Sequence, residues 1–208
     1  DAVAAAEAGA DYLGVVLVPS SPRAVEPDRV GGLVEGLAPL PVLVSADADP
    51  EELVEVARLS GAGVLQLHGD ETPDDLRALR AGTLRAEGTW HLWKAVRVRE
   101  RGDVERALER FGELADALLL DGWTPDALGG TGVSFSWGDV GALRDAFPAE
   151  LELVVAGGLT SGNVGRAVEL LAPEVVDVSS GVEAGPGIKD AEAVRAFVEA
   201  ARAAPAPT

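Results

Sequence analysis

The chain has 208 residues, a formal net charge of -18 and a pI near 4.4, so its averaged field repels nucleic-acid phosphates and anionic lipid and argues against both as partners. It contains no cysteine, which excludes disulfides, thiolate metal sites and a thiol nucleophile within these residues. Hydrophobic residues make up 47% and aromatics only 4%, with Ala, Val, Leu and Gly dominant; that balance suits close helix-on-strand packing and points to an α/β protein of one domain. No run approaches the ~20 apolar residues that span a bilayer, and no basic segment leading into an apolar one opens the chain, so the expected location is the cytoplasm.

The chain opens on Asp1-Ala-Val-Ala-Ala-Ala-Glu7, which reads as the middle of an amphipathic helix, and it contains no Met. The expectation is a natural polypeptide that extends further in the N-terminal direction. Tyr12-Leu-Gly-Val-Val-Leu-Val18 is nearly all apolar and is bounded by Pro19, as in a strand buried on both faces. The same unit then recurs, with strands predicted near 41–45, 63–67, 91–96, 116–121, 151–155 and 175–178. Helices are predicted near 26–37, 49–60, 72–80, 100–111, 137–146, 161–172 and 190–203. Asp49-Pro50-Glu51-Glu52 carries an N-cap, a Pro at the first helical position and acids in the first turn, and Thr72-Pro73-Asp74-Asp75 repeats the device.

Seven strands each followed by a helix, with one further strand before the opening helix, make a TIM (β/α)8 barrel whose first strand is missing from this chain. A doubly wound open sheet is the competing architecture. Against it, no Gly-x-Gly-x-x-Gly follows the first strand and no Walker-type Lys is present; the Gly-rich turns come after the last two strands. Only the tail, 203–208, reads as disordered.

Candidate chemistry gathers at strand ends. Arg23, in Pro19-Ser-Ser-Pro-Arg23, is either an anion clamp or a solvated loop arginine. His68, in Gln66-Leu-His68-Gly-Asp70-Glu71, either hydrogen-bonds a ligand or caps the next helix. Asp121 follows three leucines where a strand leaves the core, a place where partial desolvation suits a general acid; its other reading is a turn-initiating Asp before Gly. Ala156-Gly157-Gly158-Leu-Thr and Asp177-Val-Ser-Ser180-Gly181 bring glycines and helix starts to the ends of the last two strands, so Gly157, Gly158, Ser180 and Gly181 read together as a phosphate cradle. Asp177 would reach sugar hydroxyls or accept a backbone N–H. The four Trp residues read as packing residues or loop covers. No His/Glu cluster has metal-ligand spacing, and no Ser/His/Asp elbow is present.

In this order the motifs resemble phosphoribosylanthranilate isomerase of tryptophan biosynthesis over nearly the whole chain. The segments that carry the resemblance are Glu7-Ala-Gly-Ala-Asp11, Ser21-Pro-Arg23, Leu65-Gln-Leu-His-Gly-Asp-Glu71, Leu119-Leu-Asp121, Gly129-Gly-Thr-Gly132, Ala156-Gly-Gly-Leu-Thr160, Asn163-Val and Val176-Asp-Val-Ser-Ser-Gly-Val-Glu183, with Gly187-Ile-Lys-Asp190 behind. The resemblance implies a ribulose-phosphate-binding barrel and an Amadori rearrangement of N-(5'-phosphoribosyl)anthranilate that uses no cofactor and no metal. It also implies a small-molecule partner, a phosphorylated sugar bearing anthranilate, and a monomer or homodimer. Asp121 would protonate the ring oxygen, Arg23 would hold the anthranilate carboxylate, and the two Gly turns would bind phosphate; the expected substrate-binding set, from the strand-end reading above, adds His68 and Asp177.

Two departures stand out. The family's base is a Cys in a Lys-Ile-Cys-Gly segment ending the first strand; neither that segment nor any Cys occurs here, so the resemblance implies little activity or poor folding for these 208 residues alone. The family's Phe-Val-Asn pattern is replaced by Leu43-Val-Ser-Ala-Asp47. The alternatives are a vestigial phosphate-sugar-binding barrel without catalysis, or another phosphate-sugar barrel enzyme such as indole-glycerol-phosphate synthase. Lys94 at a strand end suggests the synthase, whereas a Lys paired to a neighbouring carboxylate within the barrel is the structural reading of the same residue.

Overall fold

Val- and Leu-rich runs that end at Ser, Asp or Gly form parallel strands, and the acid-opened segments between them form helices, as the alternation predicts. The computed structural model describes residues 1–85, 89–121, 137 and 141–205, which fall into two units, Asp1–Lys94 and a second starting at Ala95.

In the first unit, helix α1 (Ala2–Glu7) leads into strand β1 (Tyr12–Val16). Helix α2 (Val30–Val34) precedes β2 (Leu40–Ser45), α3 (Pro50–Ser60) precedes β3 (Val64–Leu67), and α4 (Pro73–Arg85) precedes β4 (His91–Arg97), of which residues 91–94 belong to this unit. These strands pair in parallel in chain order, and one register line runs through Val15, Leu43, Leu65 and Leu92. All four are buried, and every position of β3 is buried, the signature of a parallel strand covered on both faces. Returning a side chain such as Leu65 to water costs about 1.5–3 kcal/mol.

The second unit carries α5 (Arg101–Phe111), β5 (Ala117–Asp121), β6 (Glu152–Val155), α6 (Val164–Leu171), β7 (Val175–Val176), β8 (Glu183–Gly185), β9 (Ile188–Lys189) and α7 (Ala191–Arg202). Strands β5, β6 and β7 pair in parallel, with Leu118 beside Leu153 and Val155 beside Val176. Helix α6 buries Val164, Ala167 and Leu171, and α5 buries Val104, Ala107 and Phe111, each set at helical spacing on one face.

The cap signals act as written. The Asp49 carboxylate accepts the N–H groups of Glu51 and Glu52, and Asp190 does the same for Glu192 and Ala193. Thr72 and Asp75 cap each other reciprocally, the Thr72 N–H and hydroxyl both donating to Asp75 Oδ2 at 2.7 Å.

Three elements differ from expectation. The helix near 26–37 is reduced to a 3-10 turn over Pro27–Arg29 and the short α2, because Gly31 and Gly32 are poor helix formers and Gly36, at φ +73, turns the chain out. Of the helix near 137–146, residues 138–140 lie outside the described residues, and its end is a 3-10 turn over Arg144–Ala146. The sequence reading contains no counterpart to the antiparallel hairpin β8–β9; Pro186-Gly187 is its turn, with Gly187 at φ +78. Among the described residues no helix is long and apolar enough to cross a membrane.

Candidate active site

Asp121 closes β5. Leu118, Leu119 and Leu120 before it are buried, whereas Asp121 itself is half-buried, so the strand delivers its carboxylate from the core to an accessible end. Its carbonyl accepts the Val98 N–H at 2.9 Å, which keeps the residue on hydrogen-bonded backbone rather than in a free turn. Position on a rigid strand end is what a general acid requires.

The two glycine turns of the second unit meet. Gly157 and Gly158 follow β6 at φ +84 and +65, a left-handed path that side-chain-bearing residues adopt only with strain. Asn163, at the start of α6, locks this loop: its Oδ1 accepts the Thr160 N–H at 2.8 Å and its Nδ2 donates to the Gly158 carbonyl at 3.0 Å. Ser180 opens a 3-10 turn, and Gly181 beside it rests on the Leu159 carbonyl so closely that a Cβ there would stand 1.9 Å from the oxygen. Gly158, Ser180 and Gly181 are exposed. Lys189, from β9, donates to the Ser179 carbonyl at 2.8 Å and pairs with Glu183 at 3.1 Å, holding the second turn from behind. Two adjoining, exposed glycine turns, one of them leading into a helix, suit a phosphoryl group. Asp177, after β7, donates its N–H to the Val155 carbonyl at 2.8 Å and is half-buried.

The first unit carries the other two candidates. Arg23 follows β1 in a tight segment where Ser21 Oγ accepts its N–H at 3.1 Å and Val25 returns to donate to the Val16 carbonyl at 2.8 Å. Its side chain is half-buried. His68 follows β3; its N–H donates to the Ser45 carbonyl at 2.7 Å, and its Nδ1 lies 3.0 Å from the Gln66 amide nitrogen.

Lys94 is buried beside Glu71 at 2.9 Å, with side chains 4% and 6% exposed, so the paired-lysine reading holds and the residue is not a free amine for synthase chemistry. Burial alone would raise the Glu71 carboxyl, but the hydrogen bond and charge of Lys94, together with the N–H groups of Asp47 and of Glu71 itself, hold it below the usual glutamate range. Trp90 and Trp93 are buried, as packing residues are; Trp137 is buried too. Gly129, Gly132, Phe135 and Trp123 lie outside the described residues. Among the described residues no group of three or more His, Asp or Glu is arranged to hold a metal ion.

Sequence reasoning missed the roles of Asn163, Lys189, Glu183 and Asp47. An Asn before an apolar helical run signals the N-cap position that Asn163 takes, but its side chain makes no cap hydrogen bond there and locks the loop instead. The other three act through contacts between strands or across a hairpin, which leave no local signature.

The family model "N-(5'phosphoribosyl)anthranilate (PRA) isomerase" matches residues 1–200. The N-(5'-phosphoribosyl)anthranilate isomerase of Rubrobacter xylanophilus is 43% identical over 97% of this chain and 93% of its own. The crystal structure of phosphoribosyl anthranilate isomerase from Thermotoga maritima superposes with a TM-score of 0.82 at 34% identity, covering 97% of this chain and 93% of that one. A phosphoribosyl anthranilate isomerase in complex with reduced 1-(o-carboxyphenylamino)-1-deoxyribulose 5-phosphate superposes with a TM-score of 0.81 at 33% identity, covering 97% and 92%. The fold is therefore that of an α/β TIM-type barrel, and the chain belongs to the N-(5'-phosphoribosyl)anthranilate isomerase family of enzymes.

Proposed function

We propose that this chain acts on N-(5'-phosphoribosyl)anthranilate in tryptophan biosynthesis, converting it to 1-(2-carboxyphenylamino)-1-deoxy-D-ribulose 5-phosphate. The observation that carries the reading is the contact of Gly181 with Leu159, which joins two glycine turns in the unit that also holds Asp121.

In this reading Asp121 donates its proton to the furanose ring oxygen as the C1'–O bond breaks, and the anilino nitrogen lone pair moves into a C1'=N bond. A base then takes the C2' proton, the electron pair of that C–H bond forms a C1'=C2' double bond as the C1'=N π pair returns to nitrogen, and the resulting enol amine takes a proton at C1' to become the ketone. C1' is reduced as C2' is oxidised, so the rearrangement balances without an external redox partner. Arg23 holds the anthranilate carboxylate, His68 and Asp177 bind polar groups of the substrate, and Gly157, Gly158, Ser180 and Gly181 bind phosphate through backbone N–H groups. The base of the family is a Cys, and none of these 208 residues is assigned that role. A monomer or homodimer in the cytoplasm is the proposed setting.

Calorimetric titration with reduced 1-(o-carboxyphenylamino)-1-deoxyribulose 5-phosphate tests the reading independently of turnover. Saturable binding, competed by inorganic phosphate, is expected; no binding at millimolar ligand overturns it.

A further inference from the structure

The buried Lys94–Glu71 pair takes no part in the reaction outlined above. Lys94 Nζ donates to Glu71 Oε2 at 2.9 Å, to the Leu67 carbonyl at 3.2 Å and to the Gly69 carbonyl at 2.8 Å. Each of these is an acceptor for an ammonium N–H. The two carbonyls belong to the residues on either side of His68, so one cation grips the backbone before and after that ring.

Glu71 extends the grip to β2. Its Oε1 accepts the Asp47 N–H at 3.0 Å, and both its oxygens accept the Gly69 N–H, at 3.2 and 3.0 Å. Asp47 Oδ1 in turn accepts the Asp70 N–H at 2.8 Å. Asp47 lies at φ 51, an uncommon conformation for a residue with a side chain, and a Cβ on Gly69 would stand 2.5 Å from its carboxylate oxygen. The loops after β2 and β3 are thus interlocked around one carboxylate. The His68 ring is held separately: the buried Gln66 places its amide nitrogen 3.0 Å from Nδ1, and an amide N–H donating there leaves the ring proton on Nε2.

A buried ion pair is a weak device for stability, because two well-packed apolar residues serve as well without desolvating charge. Fixing one backbone segment in place is a better match to this geometry. We propose that Lys94 and Glu71 are positioning residues that clamp the backbone on both sides of His68, so that the ring keeps its Gln66 contact and presents Nε2–H to an oxygen of the substrate. This rests on the reading of His68 as a substrate ligand.

The test uses E71Q/K94M, which removes both charges together and leaves no unpaired ion in the core, in chains with His68 and with H68A. The readouts are the Kd of the reduced carboxyphenylamino-deoxyribulose phosphate, the Tm, and the His68 tautomer from its ring 15N shifts. The double substitution is expected to weaken the probe about 10-fold with His68 present and less than about 2-fold in H68A, as coupled neighbours behave. The ring is expected to pass from the Nε2–H form to a mixture of tautomers. An equal loss of affinity in both backgrounds overturns the proposal and leaves the pair a support of stability alone.

If H68A binds the probe as tightly as the unsubstituted chain, the substrate reading of His68 fails, and the tautomer then decides. A mixture sustains the clamp; an unaltered Nε2–H form removes it. Should E71Q/K94M fail to fold, K94R keeps the charge pair while its planar fork cannot reproduce the lysine's three contacts. The same His68-dependent loss is expected of it, and a loss independent of His68 overturns the proposal.

Discussion

Gly181 leans on the carbonyl of Leu159, leaving 1.9 Å where a Cβ would have to fit. The obstacle is backbone rather than a yielding side chain, so Gly181→Ala forces the two turns apart. A shift of that kind costs about 1–3 kcal/mol as overpacking. The affinity for inorganic phosphate is expected to fall at least about 10-fold, with a smaller change in Tm, measured by calorimetry and thermal melting; wild-type phosphate affinity in G181A contradicts the cradle.

Asp121→Asn keeps the shape of the strand end and removes the transferable proton. In a form of the protein that supplies the base, turnover is expected to drop roughly 10²- to 10⁴-fold relative to the same form with Asp121, while binding of the reduced product analogue and the Tm stay close to their starting values. A fall in affinity equal to the fall in turnover assigns Asp121 to binding instead.

Arg23→Ala separates the two ends of the ligand. A lost charge-assisted hydrogen bond is worth about 1.5–3 kcal/mol, so the analogue is expected to bind roughly 10- to 100-fold more weakly. Inorganic phosphate, which has no anthranilate carboxylate, is expected to bind unchanged. Parallel titrations with the two ligands decide it.

The lowered Glu71 carboxyl has a consequence for acid stability. A carboxylate held below its ordinary value of 4.5 contributes stability that is complete above that pH and disappears as pH falls through the folded-state value. In that window the unfolded chain binds the proton more readily, so stability rises with pH. Chemical denaturation between about pH 3 and 6 is expected to show this rise in the unsubstituted chain and a flatter profile in E71Q/K94M.

Helix capping supplies a check away from the site. Asp49→Ala frees the N–H groups of Glu51 and Glu52 at the start of α3, and a loss of about 1 kcal/mol is expected in denaturant unfolding, with ligand affinity unaltered.

Much of this protein could be read from local chemistry. Apolar Val/Leu runs and capped helices need only neighbouring residues to declare themselves, so the sequence by itself determined the βα order, the strand-end placement of Asp121 and His68, and the glycine turn at Gly157 and Gly158. Tertiary structure alone decided which of these parts touch. Whether Lys94 would be a free amine or the partner of Glu71 depended on the register of β3 against β4, and no pattern along the chain encodes where a carbonyl such as that of Gly69 will point. The same holds for Asp47, whose bent backbone is explained only by the Glu71 carboxylate it donates to, and for Gly181, whose lack of a side chain is required by a carbonyl 22 residues away in the chain. Such contacts arise when separately specified strands are packed side by side, because distances between elements are set by the fold as a whole.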